Sequence, residues 1–295
     1  MKPNSVVDRL EEVIGIVGPP CRLVTAIEVE LQGHFGLPAL TAAERAEALA
    51  ERVSQIINER FVSRDEAGLS PKLVIVGSTS EQVAGASYVL SEDSGPISLL
   101  KQRRVHTERL LARIKNLTYQ EFERFSARVL DEIGAKISSV TPHGNDQGID
   151  FYGEFSLGQL HTEPSSFLRL AHEVKLLLAG QAKHYRYGSL GPNVVRELVG
   201  AVSLARTKTH SRDGVDLFQG LEIRPFSPVV ALLFTTGAIT RGAYHLAAAS
   251  GVVAKSGEQL ATFLAAKGVG MADNGSGPEF DEVRFSDWLR LAQPA

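Results

Sequence analysis

Asp150, Gln181 and Lys183 are the residues of this chain whose types and spacing suit joint chemistry. Asp150 closes the segment Asp146-Gln147-Gly148-Ile149-Asp150, and Gln181-Ala182-Lys183 begins 31 residues later. Both lie in apolar, strand-like surroundings. An acid in such a strand needs a partner such as a cation. A lysine two past a polar residue on the next strand can orient a water beside that cation and help deprotonate it. Gln181 can offer its amide oxygen to metal or water, without charge. Together they imply phosphodiester hydrolysis assisted by a hard divalent ion. The plainer alternatives are a surface Asp on an edge strand, an exposed strand Lys, and a Gln hydrogen-bonded to its neighbours.

Such a site needs elements to hold it. Residues 148–152 read as a strand, with Ile149 and Phe151 on one face and Asp150 on the other. Residues 176–184 read as a central strand. Ahead of both, Thr118 and Glu121 form a capping box opening a helix that buries Phe122, Phe125, Val129 and Ile133 and ends at Gly134. A strand at 137–140 and a turn at 142–145 follow. Residues 165–172 suit a helix. Pro192 suits the first turn of another, which buries Val195, Leu198, Val199 and Val202. Residues 229–236 form an apolar strand, 240–250 a helix, 251–253 a short strand and 258–266 a helix. Residues 268–277 are loop-like, and a short helix docks through Trp288 and Leu289. This order describes an α/β sheet sandwiched by helices.

With these parts in this order, the chain resembles the Mrr-like branch of the PD-(D/E)xK nuclease superfamily, which has the restriction endonuclease-like fold. The likeness runs from about 118 to 267 and rests on four stretches. They are Leu117-Thr118-Tyr119-Gln120-Glu121-Phe122-Glu123, Gln181-Ala182-Lys183-His184-Tyr185, Val195-Arg196-Glu197-Leu198-Val199-Gly200-Ala201 and Leu233-Phe234-Thr235-Thr236. That branch tends to have Gln where other members have Asp or Glu. The resemblance implies a mixed sheet flanked by helices and a Mg²⁺-dependent DNA endonuclease, with Mn²⁺ as a substitute ion, serving restriction or antiviral defence. It implies Asp150, Glu123 and the Ala182 carbonyl as metal ligands, with Lys183 and Gln181 placing the water. Glu123 occupies the family's Phe-Glu position, whereas the capping box accounts for Glu121. Two DNA strands need two cuts, so a homodimer is the economical assembly.

A rival triplet stands nearby. Glu173-Val174-Lys175 has the ExK form and carries the charge that Gln181 lacks, but 167–178 also fits a helix. The family-like residues after Lys183 favour Gln181-Lys183. Asp146 is a candidate contact for water or a second metal, or a turn-forming Asp. Asp213-Gly214-Val215-Asp216 reads as a surface turn. The histidines show no metal-ligand spacing, and Gly18-Pro19-Pro20 is no phosphate loop because the Lys-Ser/Thr ending is absent.

The 295 residues leave room for two domains, and their formal net charge is −3. The single cysteine, Cys21, excludes an internal disulfide and a cysteine zinc site. No apolar run reaches the roughly 18 residues of a membrane span, and the expected location is cytoplasmic. Residues 101–115 carry six Lys/Arg against Glu108, and 183–212 carry six against Glu197. Arg103, Arg104, Arg109, His184, Arg186, Arg206 and Lys208 are thus candidate DNA contacts, the alternative being solvated helix faces.

The N-terminal residues 1–90 read as a winged-helix-like α+β domain, followed by a basic linker helix at 91–117 and the nuclease domain at 118–295. Helices are expected at 6–17, 22–35 and from an N-cap at Thr41, with Glu44 closing a capping box, to about Asn58. A hairpin would then join 61–63 to 72–76, and 77–98 would be a linker or loosely packed segment. The third helix carries Glu44, Glu47, Glu51 and Glu59 against Arg45, Arg52 and Arg60, a pattern that repels phosphate. This domain therefore suits a protein partner as well as DNA. Two rivals stand beside the nuclease: a non-catalytic nucleic-acid-binding or sensing module on the same fold, and a scaffold or regulator acting through the acidic N-terminal domain.

Overall fold

The computed structural model describes residues 2–77, 81–141, 148–156, 174–207, 226–275 and 277–290. The chain divides into two compact units. One comprises Met1–Glu108 with Met271–Phe280, and the other Arg109–Gly270 with Asp281–Ala295.

The first unit runs α1 (Pro3–Ile14), β1 (Cys21–Arg22), α2 (Leu23–Gly33), α3 (Ala39–Glu66), β2 (Leu73–Val76), β3 (Gln82–Gly85) and α4 (Gly95–Arg104). Its antiparallel sheet has the order β1-β3-β2. Val6, Val7 and Leu10 of α1 meet Ile27 and Leu31 of α2 and Val53 and Ile57 of α3 in one core. The three helices and a hairpin are present, with several boundaries moved. Helix α3 begins at Ala39 after Pro38, with no side-chain cap, so Thr41 lies in the first turn and is not an N-cap. It continues through 61–63, where a strand was expected, and the hairpin is β2 with β3. Residues 77–98 hold β3, whose Val83 and Ala84 are fully buried, so this stretch is not simply a linker. The basic stretch is two helices, α4 and α5 (Thr107–Lys115). Residues 268–277, expected as loop, include β11 (Met271–Asp273), which forms a hairpin with β12 (Pro278–Phe280), and His106 Nε2 lies 2.9 Å from the Pro278 carbonyl oxygen.

The second unit continues with α6 (Tyr119–Ile133), β4 (Ile137–Val140), β5 (Phe151–Ser156), β6 (Lys175–Lys183), β7 (Ser189–Leu190), α7 (Pro192–Arg206), β8 (Val229–Thr235), β9 (Ala238–Ile239), α8 (Arg241–Ser250), β10 (Val253–Lys255), α9 (Gly257–Lys267) and α10 (Glu282–Arg290). Its main sheet has the order β10-β8-β6-β5-β4, parallel across β10, β8 and β6 and antiparallel across β6, β5 and β4. It is a mixed sheet flanked by helices, with β6 at its centre. On one face, Val195, Leu198 and Ala201 of α7 and Ala243 and Ala247 of α8 join Leu177 and Ala179 of β6 and Leu233 of β8. Strands covered on both faces read as continuous apolar runs, as Val229–Thr235 does.

Helix α6 follows the local code. Thr118 Oγ1 accepts from the Glu121 N–H at 3.3 Å, and Glu121 accepts from the Thr118 N–H at 2.8 Å. Phe122, Phe125 and Val129 are buried as expected, but Ile133, the last residue of the helix, is 46 % exposed. On α7 the buried set is Val195, Leu198 and Ala201, with Val199 turned outward.

Gly180 is set by packing. A Cβ there would lie 2.1 Å from Cζ of Phe151, whose ring stacks on Phe234 with centroids 5.1 Å apart. Phe151 pairs with Gly180 from β5, and Phe234 pairs with Ala182 from β8. The ring thus crosses β6 where β6 has no side chain. Gly180→Ala is expected to destabilise the protein by about 3 kcal/mol, at the upper end of overpacking. Urea denaturation checks this, and an unchanged midpoint would show that the ring has room to move.

Candidate active site at the end of strand β6

Strand β6 delivers Gln181, Ala182 and Lys183 to the end of the central strand. Asp150 stands immediately before β5, level with Gln181 when the Phe151–Gly180 register is continued. Its backbone is tied on both sides: its N–H donates to the Gly180 carbonyl at 2.8 Å, and its carbonyl accepts from the Thr141 N–H at 2.9 Å. The expected strand 148–152 therefore begins later, at Phe151, although Asp150 keeps these sheet-like bonds. The Asp150 side chain is 3 % exposed, and its Oδ2 accepts from the Ala182 N–H at 2.7 Å. The N–H and the carbonyl of one strand residue point to the same side of the strand. The Ala182 carbonyl accordingly faces the side on which Asp150 sits.

Two buried oxygens nearby have no hydrogen-bond partner, Oε1 of Gln181 and Oγ1 of Thr141. Leaving such an atom unsatisfied costs about 1–3 kcal/mol. Gln181 is 4 % exposed, and its Nε2 would lie 3.8 Å from a Cβ at Gly148. Gly148 has φ 84, a left-handed conformation that glycine adopts without strain, and a Cβ there would also press on Ala201 at 3.3 Å. The chain can therefore pass close over Gln181. Thr141 was not among the sequence candidates. Its signal, a lone Thr after a short strand, becomes legible only when its partner Asp150 is known.

Glu123 is buried in α6 at 4 % exposure. Its neighbour Phe122 meets His184, the neighbour of Lys183, edge to face at 5.9 Å. This contact places the first turns of α6 by the end of β6. Glu121 is held elsewhere: the Thr118 backbone N–H keeps its carboxyl below the usual range. Among the described residues, no three His, Cys, Asp or Glu side chains gather as a metal-holding group. The candidate donors are two buried carboxylates, an orphaned amide oxygen and a backbone carbonyl. An all-oxygen set of this kind suits a hard cation.

Residues 114–217 match the restriction endonuclease family model Mrr_cat. This part of the chain is a restriction endonuclease domain. It contains Glu123, Asp150, Gln181 and Lys183, and it ends before the 267 to which the resemblance was expected to extend. No curated protein matches the chain. Among solved structures, the MspJI restriction endonuclease in complex with a 27-mer oligonucleotide is 20 % identical, over 61 % of this chain and 36 % of that one, with a TM-score of 0.34. The restriction endonuclease FokI is 11 % identical, over 90 % of this chain and 44 % of that one, with a TM-score of 0.32. The chain thus spans less than half the length of either.

Within the endonuclease domain, the rival triplet is divided. Glu173 lies outside the described residues, as do Asp146, Lys208, the expected helix at 165–172 and Asp213–Asp216. Lys175 opens β6 and does not lie in a helix, because 175–178 pair with β5 and β8. Its ammonium pairs with Glu154 at 3.0 Å. It stands eight residues before Lys183, about 26 Å along a strand.

The basic candidates are not gathered into one set. Arg103 and Arg104 belong to α4 in the first unit, where Arg104 pairs with Asp65 at 3.1 Å and Lys101 pairs with Asp93 at 2.7 Å. In the endonuclease unit Arg113 sits over the Phe285 ring at 5.6 Å. Arg109, Arg186 and Arg206 are exposed, and His184 has a buried Nε2 without a partner. No helix among the described residues is long and apolar enough to cross a membrane.

Proposed function

We propose that this chain is a metal-dependent DNA endonuclease serving restriction or antiviral defence. The observation that carries the reading is the buried Asp150 carboxylate, held on the Ala182 N–H beside the orphaned Gln181 Oε1, within a restriction endonuclease domain. Asp150, Glu123 and the Ala182 carbonyl would hold Mg²⁺, with Mn²⁺ as a substitute. When bound, the ion polarises the scissile phosphate and absorbs charge in the transition state. The protein's part is preorganisation. The bond from Ala182 fixes the Asp150 carboxylate in orientation and uses one of its roughly four acceptor positions. Lys183 donates to the attacking water and to phosphate oxygens, and Gln181 Oε1 accepts from that water. The test is cleavage of methylated and unmethylated plasmid with Mg²⁺, using an Asp150 variant as control.

The neutral Gln181 favours one other reading, a non-catalytic nucleic-acid-binding or sensing module on the same fold. Binding without turnover in Mg²⁺ or Mn²⁺ would select it. Cutting both strands of a duplex calls for two sites, so a homodimer is part of the proposal.

The first unit is proposed as a winged-helix-like domain that contacts protein. Its third helix has few cations to spare: Arg60 holds Asp8 at 2.7 Å and Glu11 at 3.0 Å, and Arg52 pairs with Glu59 at 3.2 Å. A scaffold role through this unit is the reading if the chain neither cuts nor binds DNA and a partner co-purifies only when residues 1–90 are present. Electrostatics then predicts a contrast. Replacing Arg109, Arg186 and Arg206 by Ala should flatten the salt dependence of DNA affinity by about 0.9 in log–log slope for each lost phosphate contact. Replacing Arg45 and Arg52 should leave the slope unchanged. A salt titration by fluorescence anisotropy checks both, and the reverse pattern would make the first unit the DNA reader.

A further inference from the structure

Tyr187 stands four residues beyond Lys183 and is 94 % exposed. Single exposed hydrophobic side chains are ordinary, so exposure alone decides nothing. The backbone that carries this one is pinned on both sides. The Tyr185 N–H donates to Thr236 Oγ1 at 2.8 Å, and the same hydroxyl donates to the Tyr185 carbonyl at 2.9 Å. Beyond Tyr187, Ser189 and Leu190 pair with Ala238 and Ile239, and the Leu190 carbonyl accepts from the Thr240 N–H at 3.0 Å. The backbones meet so closely that a Cβ at Gly237 would lie 2.8 Å from the Gly188 carbonyl oxygen. The exposed ring is thus carried on a short loop whose backbone is fixed at Tyr185 and again at Ser189–Leu190. Arg186, also exposed, stands beside it.

Four residues span at most about 14 Å. Stacked bases rise about 3.4 Å each, so the ring is within roughly four base steps of a phosphate at Lys183. An aromatic ring stacks on any base, because every base offers a π-face, whereas Arg beside it suits the phosphate. We infer that Tyr187 stacks on a DNA base displaced from the helix close to the scissile phosphate, while Arg186 holds an adjacent phosphate. This rests on the nuclease reading above. Unstacking a paired base costs free energy that an already unpaired base does not. The enzyme should therefore favour DNA with an unpaired base near the cut.

The test uses the full chain, with Tyr187→Ala and Tyr187→Phe, in EDTA so that no cleavage intervenes. Anisotropy is measured on a paired duplex and on the same duplex carrying one unpaired 2-aminopurine, whose fluorescence reports stacking. The parent should bind the second duplex more tightly and quench the probe. Tyr187→Ala should lose that preference, binding it about 5- to 100-fold more weakly, and lose the quenching. Tyr187→Phe should keep both. Equal binding and quenching by the parent and Tyr187→Ala would overturn the inference, and plasmid cleavage by the parent would then leave the nuclease reading standing. A parent that binds neither duplex and cuts no plasmid would overturn both.

Discussion

Asp150→Asn is expected to keep the fold and to lower Mg²⁺-dependent plasmid cleavage by at least about 10²–10³-fold, the scale of losing one preorganised electrostatic group. Asparagine keeps an oxygen that can accept from the Ala182 N–H, at present 2.7 Å from Oδ2, so the end of β6 keeps its partner. What disappears is the negative charge, and a hard cation in an all-oxygen site depends on it. Asp150→Ala would add a structural cost of about 1–3 kcal/mol, because the buried N–H of Ala182 would lose its acceptor. A pair of measurements separates the two effects: melting temperature, which should move only for Ala, and turnover, which should collapse for both. Full cleavage by purified Asp150→Asn would remove this residue from the site.

Lys183→Ala should lower turnover by about 10²-fold or more, on the scale of general acid–base catalysis, while Lys175→Ala leaves most of it. Both lysines lie on β6, at opposite ends. Lys175 is engaged by Glu154 at the surface, an ion pair worth about 0–1 kcal/mol. Lys183 ends the strand beside the Asp150 carboxylate and the orphaned Gln181 oxygen, and its backbone carbonyl accepts from the Thr236 N–H at 3.3 Å. Removing its side chain leaves that backbone bond in place, so stability should change little. Single-turnover cleavage by the two variants is the comparison. Loss with Lys175→Ala and retention with Lys183→Ala would move the chemistry to the other end of β6.

The sequence by itself determined the features written within a few residues of one another. Thr118 and Glu121 announce α6, because a capping box closes over three residues. The apolar run of β6 and the family-like residues around Lys183 identify a central strand and the restriction endonuclease domain that contains it. Tertiary structure decided what depends on distant partners. Phe61, Val62 and Ser63 have strand-like side chains, yet α3 runs through them to Glu66, because strand propensity is expressed only within a sheet and the sheet of the first unit is built from β1, β3 and β2 without them. Val83 and Ala84 sit in a stretch rich in Gly and Ser, and they become strand only by pairing with β2 and β1. Charge behaves in the same way. Lys101 and Arg104 look available along the sequence, but Asp93 and Asp65 hold them once the chain is folded. Above all, only the register of β5 on β6 sets Asp150 against Ala182, and only burial leaves the Gln181 and Thr141 oxygens without partners. Register is a property of two strands, and a missing hydrogen bond is a property of everything around an atom.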